Sequence, residues 1–486
     1  MTDLETDYLV IGAGAVGLAF ADTLIDEDPD CHITFVDRHA KPGGHWNDAY
    51  GFVALHQPSA TYGVNSMAFP SEQIDTVGPN RGLHALASGT EVLAYFEKVM
   101  NLRLLPSGRV AYHRLTEYRG RDEAGDAQLA AILSGETQRV RVRRRVVDAT
   151  FYQTSVPTTH TRTFSEAPGV DVVPPGELLH LWKTPDALPG HYVVLGAGKT
   201  AMDTVVWLLQ AGVNADRIRW VRPRESWLWN REHVQPGEAF FEAVMAMQIA
   251  IFEAAARSAD SAELMRTLGE QGFFLRIDPD VEPEMFHYAV SSRGEVELLR
   301  QVKHVLRKGR VTAIEPGILR FGDVEVEVPL DSLFIDCTAT AVPFSACKES
   351  GPIFRGDTIV LQPVQVPLVT FSAAVAAFLE AHYDDDDTRN ALATPGPLTD
   401  SPATFAYAQL VNVTNRGAWS AEPAIGAFLA RSRLDLTAGT IAGLIAENSP
   451  KLAILGKFQD AVQRSMPGLV ALGTQARALH EGAGAV

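Results

Sequence analysis

The stretch Asp7-Tyr-Leu-Val-Ile-Gly-Ala-Gly-Ala-Val-Gly17 decides the fold of this chain. A short apolar run leads directly into three glycines with the spacing GxGxxG, and residues 18–25 then follow a helical pattern. Gly12 permits a tight turn, Gly14 lets the backbone approach a pyrophosphate, and Gly17 lets the helix pack closely. The stretch therefore predicts a strand, a glycine turn and a helix whose amino terminus faces a dinucleotide.

An acidic residue supports this interpretation. Residues 32–36 form a second apolar run, and Asp37 follows it, 25 positions after Gly12. In the dinucleotide-binding fingerprint, an acid at this distance accepts hydrogen bonds from the adenosine ribose. We predict that Asp37 and the adjacent Arg38 contact the bound dinucleotide.

The same order returns in the second part of the chain. A strand pattern over residues 191–195 precedes Gly196-Ala-Gly198-Lys199-Thr200-Ala201, where Ala201 replaces the third glycine, a variant that the fingerprint allows. After the next strand, residues 217–221, stands Arg222-Pro-Arg224 rather than an acid. Guanidinium groups pair with a 2′-phosphate, so this unit is predicted to bind NADPH rather than NADH through its turn and these arginines. The alternative is that the arginines only cap a strand end at the surface.

Composition narrows the class of protein. The 486 residues carry a net charge of −17, which disfavours nucleic acid as a partner. Cys31, Cys337 and Cys347 form no CxxC pair, so a redox dithiol is not expected, and Cys337 and Cys347 are predicted to be buried apolar residues rather than nucleophiles. An acidic start without a signal pattern and the lack of a long apolar run predict a cytoplasmic protein without a membrane span.

These patterns predict an α/β protein with two Rossmann-like dinucleotide-binding domains, each of three layers. The first is expected to comprise residues 1–155 and 330–385, with the strand at 333–337 returning to it. The second comprises residues 186–329 with a helical insertion at about 237–271, and residues 386–486 form a mostly helical tail. That tail packs on the first domain or on a second subunit, as in a homo-oligomer.

Two nucleotide sites without a dithiol favour a flavin reduced by a nicotinamide. The motif Gly43-Gly44-His45-Trp46 after Asp37, and Val64-Asn65-Ser-Met-Ala-Phe-Pro70, resemble the flavin-containing monooxygenase-like group. The resemblance implies that FAD lies along residues 43–46 and that Asn65, near the flavin C4a side, is catalytic. Gln362 stands where the group has a late flavin-binding segment, and is predicted to bind the cofactor.

The resemblance further implies a reaction. NADPH reduces FAD, the reduced flavin forms a C4a-hydroperoxide with O2, and this species oxygenates a small organic substrate. Departures from the group keep two alternatives open: an NADPH-dependent flavin reductase or dehydrogenase without oxygen insertion, and a flavin-binding sensor. The departures are Pro174 and Thr184 in place of aromatics, and two Ala-Thr-Gly sites that lack their glycine, at 148–151 and 337–340.

Other segments allow both a functional and a structural interpretation. His56 and Tyr62 line the flavin or substrate pocket, or belong to a plain loop. The helix predicted at 240–256 is either a wall of the substrate pocket or ordinary core. No metal site is predicted, because the four aspartates at 384–387 are adjacent and favour a solvated loop.

Overall fold

The computed structural model describes residues 4–70, 73–184, 188–340, 342 and 350–482. The prediction for Cys347 falls outside these residues. In chain order the strands are β1 (Leu4–Ile11), β2 (Ile33–Val36), β3 (Val110–His113), β4 (Thr116–Arg121), β5 (Ala127–Ala131), β6 (Thr137–Asp148), β7 (Ser165–Glu166), β8 (Val172–Val173), β9 (His191–Leu195), β10 (Ile218–Val221), β11 (Leu228–Asn230), β12 (Phe274–Leu275), β13 (Val290–Ser291), β14 (His304–Leu306), β15 (Ala313–Glu315), β16 (Ile318–Phe321), β17 (Val324–Glu327), β18 (Ser332–Asp336), β19 (Phe354–Arg355) and β20 (Thr358–Val360).

The α-helices divide between the two sheet lobes and a helical body. They are α1 (Ala15–Glu27), α2 (Gly89–Lys98), α3 (Leu178–Leu181), α4 (Lys199–Gln210), α5 (Phe241–Ala255), α6 (Ser261–Glu270), α7 (Arg293–Leu299), α8 (Val369–His382), α9 (Asp386–Ala391), α10 (Phe405–Ser420), α11 (Pro423–Arg431), α12 (Ala438–Ala446) and α13 (Ala453–Gly482). Within the described ranges, no helix combines the length and apolar composition needed to cross a bilayer.

The first lobe is built on the parallel strand order β20-β6-β1-β2-β3, with β19 antiparallel at the edge. Alternate residues of β1 point to opposite faces of the sheet, and other elements cover both faces. Val10 packs on the side of α1 and α8, whereas Leu9 packs against the antiparallel meander β4-β5-β6 through Leu129 and Val140. This gives the three layers that the glycine motif predicted.

The second lobe repeats this design with the all-parallel order β14-β10-β9-β18-β8. Val194 faces α4 and α7, and Val193 faces the meander β15-β16-β17, where Leu319 is buried. Here the structure differs from the predicted domain boundary at residue 330. Strand β18 pairs with β9 along its whole length, from Ser332 against His191 to Asp336 against Leu195, so it belongs to the second lobe. The lobe also starts earlier than residue 186, because it includes β7 and β8.

The helical insertion and the tail form one body. Helices α5 and α6 pack against α10 and α13 around a shared apolar cluster. The contact is close, since a Cβ added to Gly468 on α13 would lie 2.6 Å from Ala256 Cα. The tail also reaches the first lobe, where Phe428 of α11 stacks on Phe378 of α8 with 4.6 Å between ring centroids. Of the predicted aspartate loop, Asp386 begins α9 and pairs with Arg145, 2.7 Å away.

Candidate functional site

The first glycine turn lies at the carboxyl end of β1. Gly12 has φ 97° and donates its N–H to Val36 O, 2.9 Å away. A Cβ on Gly17 would lie 2.1 Å from Gly12 O, so this turn requires glycine there. Gly14 precedes α1 without any side-chain cap, which leaves the first N–H groups of the helix available to an anion.

Asp37 follows β2 at the same edge and is buried. Its carboxylate accepts hydrogen bonds from Ala13 N (2.6 Å), His39 N (2.7 Å) and His39 Nδ1 (3.0 Å). A carboxylate offers about four acceptor positions, so one remains for a ribose hydroxyl. Arg38 turns outward instead, with its Nε 3.7 Å from a carboxylate oxygen of Glu117.

The Gly43-Gly44-His45-Trp46 motif packs directly on this turn. Gly43 donates its N–H to Ala13 O at 2.8 Å, and a Cβ on Gly44 would lie 3.1 Å from Gly14 Cα. Both glycines have positive φ, 126° and 56°, which favours glycine at each position. The structure therefore brings together the first turn and the motif, as the sequence predicted.

The two rings of this motif differ in exposure. Trp46 is buried and donates Nε1–H to the Tyr62 hydroxyl at 2.9 Å. His45 stacks on Trp46 with part of its ring exposed, as expected for the lining of a cleft. The surrounding protein lowers the pKa of His45 below its usual range.

Gln362 follows β20 at the same carboxyl edge. Its Nε2 donates to Gly351 O at 2.9 Å, whereas its Oε1 is buried and has no hydrogen-bond partner in the described part of the chain. A buried acceptor without a partner is costly unless a ligand supplies the donor. Gln362 thus lies at the carboxyl edge of the first sheet, and its predicted contact with the cofactor stays a prediction.

The second glycine turn follows β9. Gly196 has φ 125°, and a Cβ there would lie 2.5 Å from Cys337 O. By contrast, a Cβ on Gly198 would meet no protein atom within 4 Å, and helix α4 begins without a side-chain cap. Open space in front of uncapped N–H groups suits a pyrophosphate. Lys199 forms an ion pair with Asp203 on the next turn of α4.

Residues 43–52 connect the two turns, and we call them the bridging segment. Its first glycines contact the first turn, as described above. At its other end, the Tyr50 hydroxyl donates to Asp203 Oδ2 at 2.8 Å. Phe52 stacks on Trp207 of α4 with 4.9 Å between ring centroids. One short segment thus contacts both predicted dinucleotide sites.

The predicted 2′-phosphate residues occupy different environments. Arg222 is only 3% exposed, with its Nε 2.8 Å from Glu225 Oε1 and its guanidinium over the Trp220 ring. Burial lowers the pKa of Arg222 despite this partner. Arg224 is 41% exposed and lies 3.7 Å from Asp400. Arg224 is therefore accessible, whereas Arg222 is held inside the protein.

The sequence patterns did not indicate a third arginine at this edge of the sheet. Arg307 directly follows β14, the strand beside β10, and its Nε and Nη2 donate to Glu225 Oε1 at 2.9 and 2.7 Å. Its side chain is 31% exposed. The signal was an arginine at a strand end, but the sequence does not show that β14 and β10 are neighbours.

Asn65 does not lie beside the first turn. Its Nδ2 donates to Thr23 Oγ1 at 3.2 Å, and its Oδ1 accepts from Ser432 Oγ at 2.8 Å. Thr23 is nine residues beyond Gly14, or about 13 Å along the helix axis. These surroundings favour a structural role, so the predicted catalytic role stays a prediction that mutagenesis must test.

The loop around Asn65 is held by the tail. Arg433 donates to four backbone carbonyls, those of Ser59, Ala60, Tyr62 and Val64. His56 precedes this loop in the chain, and its backbone carbonyl accepts a hydrogen bond from the fully buried Arg231. Burial lowers the pKa of His56 well below its usual range, so the ring is neutral. His56 is thus part of the contact between lobes.

Comparisons with known proteins agree with the first unit. The family model of the NAD(P)-binding Rossmann-like domain matches residues 10–75. A solved oxidized steroid monooxygenase bound to NADP is 15% identical with a TM-score of 0.49, over 78% of this chain and 85% of that chain. This likeness is too weak to add to the fold that the strand order establishes.

Curated relatives fall into two groups. The FAD-dependent monooxygenase resA of Aspergillus sclerotiorum is 27% identical over 221 residues, which are 44% of this chain and 36% of that protein. The uncharacterised proteins Rv2000 of Mycobacterium tuberculosis and Mb2023 of Mycobacterium bovis are each 40% identical over 456 residues, 94% of this chain and 82% of the relative. The chain belongs to the same family as these two mycobacterial proteins.

Proposed function

We propose that this protein is a FAD-dependent oxidoreductase that is reduced by NADPH and transfers oxygen from O2 to a small organic substrate. One observation carries the proposal. Two glycine turns, each in front of an uncapped helix, lie at the two ends of the bridging segment. Such an arrangement suits an enzyme that passes electrons between two dinucleotides.

The residues of the first lobe fit FAD. The N–H groups at the start of α1 would bind its pyrophosphate, and Asp37 would accept from the adenosine ribose through its remaining acceptor position. The partnerless Oε1 of Gln362 offers an acceptor to the N–H group of a flavin ring. Gly43 and Gly44, whose positive φ favours glycine, place no side chain along this path.

The residues of the second lobe fit NADPH. The space beside Gly198 would hold the pyrophosphate against α4, and Lys199 and Thr200 flank it. The exposed guanidinium of Arg224 would pair with a 2′-phosphate, and the partly exposed Arg307, which also bonds Glu225 and Asp278, would turn its remaining N–H groups to the same phosphate. Arg222 is buried beside Glu225, so it would contribute by holding that carboxylate in place rather than by direct contact with the phosphate.

Bound FAD would supply the chemistry, by accepting a hydride from NADPH and passing electrons to O2. The protein would orient the two dinucleotides and exclude water. Trp46 and Tyr62, which are buried and joined by a hydrogen bond, would form an apolar floor for the flavin. The name of the partial relative, a FAD-dependent monooxygenase, is consistent with this class of reaction.

Anaerobic reduction tests the proposal. The purified protein is expected to hold FAD, and NADPH is expected to bleach its absorbance faster than NADH does. Mixing the reduced protein with O2 in the presence of candidate substrates should couple O2 consumption to product formation. Bleaching with reoxidation but no coupling to any substrate would replace the monooxygenase by a reductase or dehydrogenase. Bound FAD that neither coenzyme bleaches would leave a flavin-binding sensor.

A further inference from the structure

The Asp37 carboxylate belongs to a chain of three ionisable side chains. His39 stands between two carboxylates: its Nδ1 is 3.0 Å from Asp37 Oδ1, and its Nε2 is 2.7 Å from Asp48 Oδ2. The His39 backbone N–H also donates to Asp37, at 2.7 Å. Asp37 directly follows β2, whereas Asp48 lies in the bridging segment. The ring thus connects the predicted ribose acid to the segment that contacts both dinucleotide turns.

We propose that His39, as a cation held between Asp37 and Asp48, is a positioning residue for FAD that fixes both the ribose acid and the bridging segment. The inference rests on the proposed function, since it assumes that FAD binds in the first lobe. It identifies two residues, His39 and Asp48, to which the glycine motif and the resemblance gave no role.

The geometry requires a protonated ring. A neutral imidazole donates only one N–H, whereas an imidazolium donates two. Both neighbouring groups are carboxylates, which only accept when ionised. Loss of the proton would therefore remove the bond of the ring to either Asp37 or Asp48, while the backbone N–H groups of Ala13 and His39 would still donate to Asp37. Asp37 would then keep two of its three hydrogen bonds and be held less firmly, or Asp48 of the bridging segment would lose its bond to the ring.

The charged groups around the ring agree with this requirement. The hydrogen bond with Asp37 is the largest cause that raises the pKa of His39 to about 9, and Asp48 adds to it while burial opposes it. His45, which lies with Asp48 in the 3-10 helix Gly44–Asp48, has a pKa below its usual range, so it does not compete as a second cation at pH 7. Arg38 points towards Glu117 instead.

The protonation of His39 sets the direction in which FAD affinity changes with pH. The folded-state pKa of His39 is raised, so its contribution is complete below the ordinary histidine pKa of about 6.5 and is lost as the pH rises through about 9. FAD affinity should therefore fall on the alkaline side. A role that depended only on the shape of the ring would give no such profile.

The test measures the dissociation constant of FAD for the apoprotein by quenching of flavin fluorescence, from pH 7 to pH 10. The wild type should bind FAD about tenfold more weakly at pH 10 than at pH 7. His39→Gln should be weaker by about 10- to 30-fold already at pH 7, with a flat profile. Asp48→Asn should weaken FAD less, because Asp37 keeps its donor.

His39→Arg separates charge from shape. Its cation persists across this pH range, so it should bind FAD better than His39→Gln does and show a flat profile. His32→Gln is the matched control, since His32 is an exposed histidine at the other end of β2. That variant should keep the wild-type affinity and profile.

The outcomes are distinct. A flat wild-type profile, or a His39→Gln protein that binds FAD like the wild type while melting at a lower temperature, would overturn the inference and leave the proposed function standing. A wild-type protein that binds no FAD at any pH would overturn both. If His39→Gln does not fold, the pH profiles of FAD affinity of the wild type and of Asp48→Asn still test the inference.

Discussion

The two dinucleotide units carry opposite charges at equivalent points of the same fold. At the end of β2 an acid, Asp37, is held by the cationic His39. At the end of β10 a cation, Arg222, is held by the acid Glu225, which also accepts from Arg307. In each unit, a partner of opposite sign, the half-buried His39 or the buried Glu225, holds the group nearest the expected ribose.

The difference suggests how one fold would accept the two proposed cofactors. The glycine turns and uncapped helices are alike, as expected if each faces a pyrophosphate. The strand ends differ because a ribose hydroxyl needs an acceptor, whereas a 2′-phosphate needs cations. Substitutions at equivalent positions of the two units should therefore show which residues set the affinity for a dinucleotide and which set the selectivity between NADPH and NADH.

The largest effect on dinucleotide affinity is expected at the third glycine position of the first turn, Gly17. Gly17→Ala would place a Cβ 2.1 Å from Gly12 O, so the turn must shift and FAD affinity should fall by about 100-fold or more. In the second turn, Ala201 already provides a buried Cβ at this position. Ala201→Gly should change NADPH affinity by no more than about threefold. Titrations of both dinucleotides check the pair, and equal effects would mean that the two turns have the same tolerance.

The next effect concerns coenzyme selectivity. Arg307→Ala and Arg224→Ala should each weaken NADPH binding by about 10- to 100-fold, since each removes a charged donor to the 2′-phosphate. NADH, which lacks this phosphate, should bind as before. Arg320→Ala, which removes an exposed guanidinium from the meander of the same lobe, is the control. Parallel losses for both coenzymes would place the phosphate elsewhere.

A smaller effect is expected between the lobes. Tyr50→Phe removes the hydrogen bond to Asp203, and burial keeps this hydroxyl protonated because it raises the Tyr50 pKa well above its usual value. Flavin reduction by NADPH should slow by about two- to tenfold while FAD content stays unchanged. Tyr112→Phe is the control, since its buried hydroxyl has no partner in the described ranges. A loss of FAD in Tyr50→Phe would mean that the bridging segment serves the first site alone.

Local patterns explain what the sequence predicted correctly. The turns at Gly12 and Gly196 and helix α5 depend on residues within a few positions, so spacing alone indicated them. The partners of Asp37 and Arg222 depend on tertiary contacts. His39 reaches Asp48 across the turn of the chain, and Glu225 gathers arginines from two strands whose pairing no spacing reveals.

The domain boundary failed for a similar reason. Residues 332–336 form a buried apolar strand that would suit either sheet, and only its pairing with β9 assigns it to the second lobe. The altered Ala-Thr-Gly sites follow β6 and β18, one in each lobe, which is where the chain crosses between them. The Ala-Thr pairs indicated where the chain crosses between the lobes, whereas only the strand order shows which strand belongs to which lobe.

Asn65 gives the smallest expected effect on turnover. Both ends of its amide are engaged, by Thr23 and Ser432, so Asn65→Ala should lower the free energy of unfolding by about 1–2 kcal/mol. Ser432→Ala, which removes one of these bonds, should cause part of the same loss. Flavin reduction and product formation should change by no more than about threefold in either variant. If Asn65→Ala instead lost turnover by orders of magnitude at an unchanged melting temperature, the amide would have to leave Thr23 and reach the flavin during the reaction, and the loop held by Arg433 would be a moving part of the site.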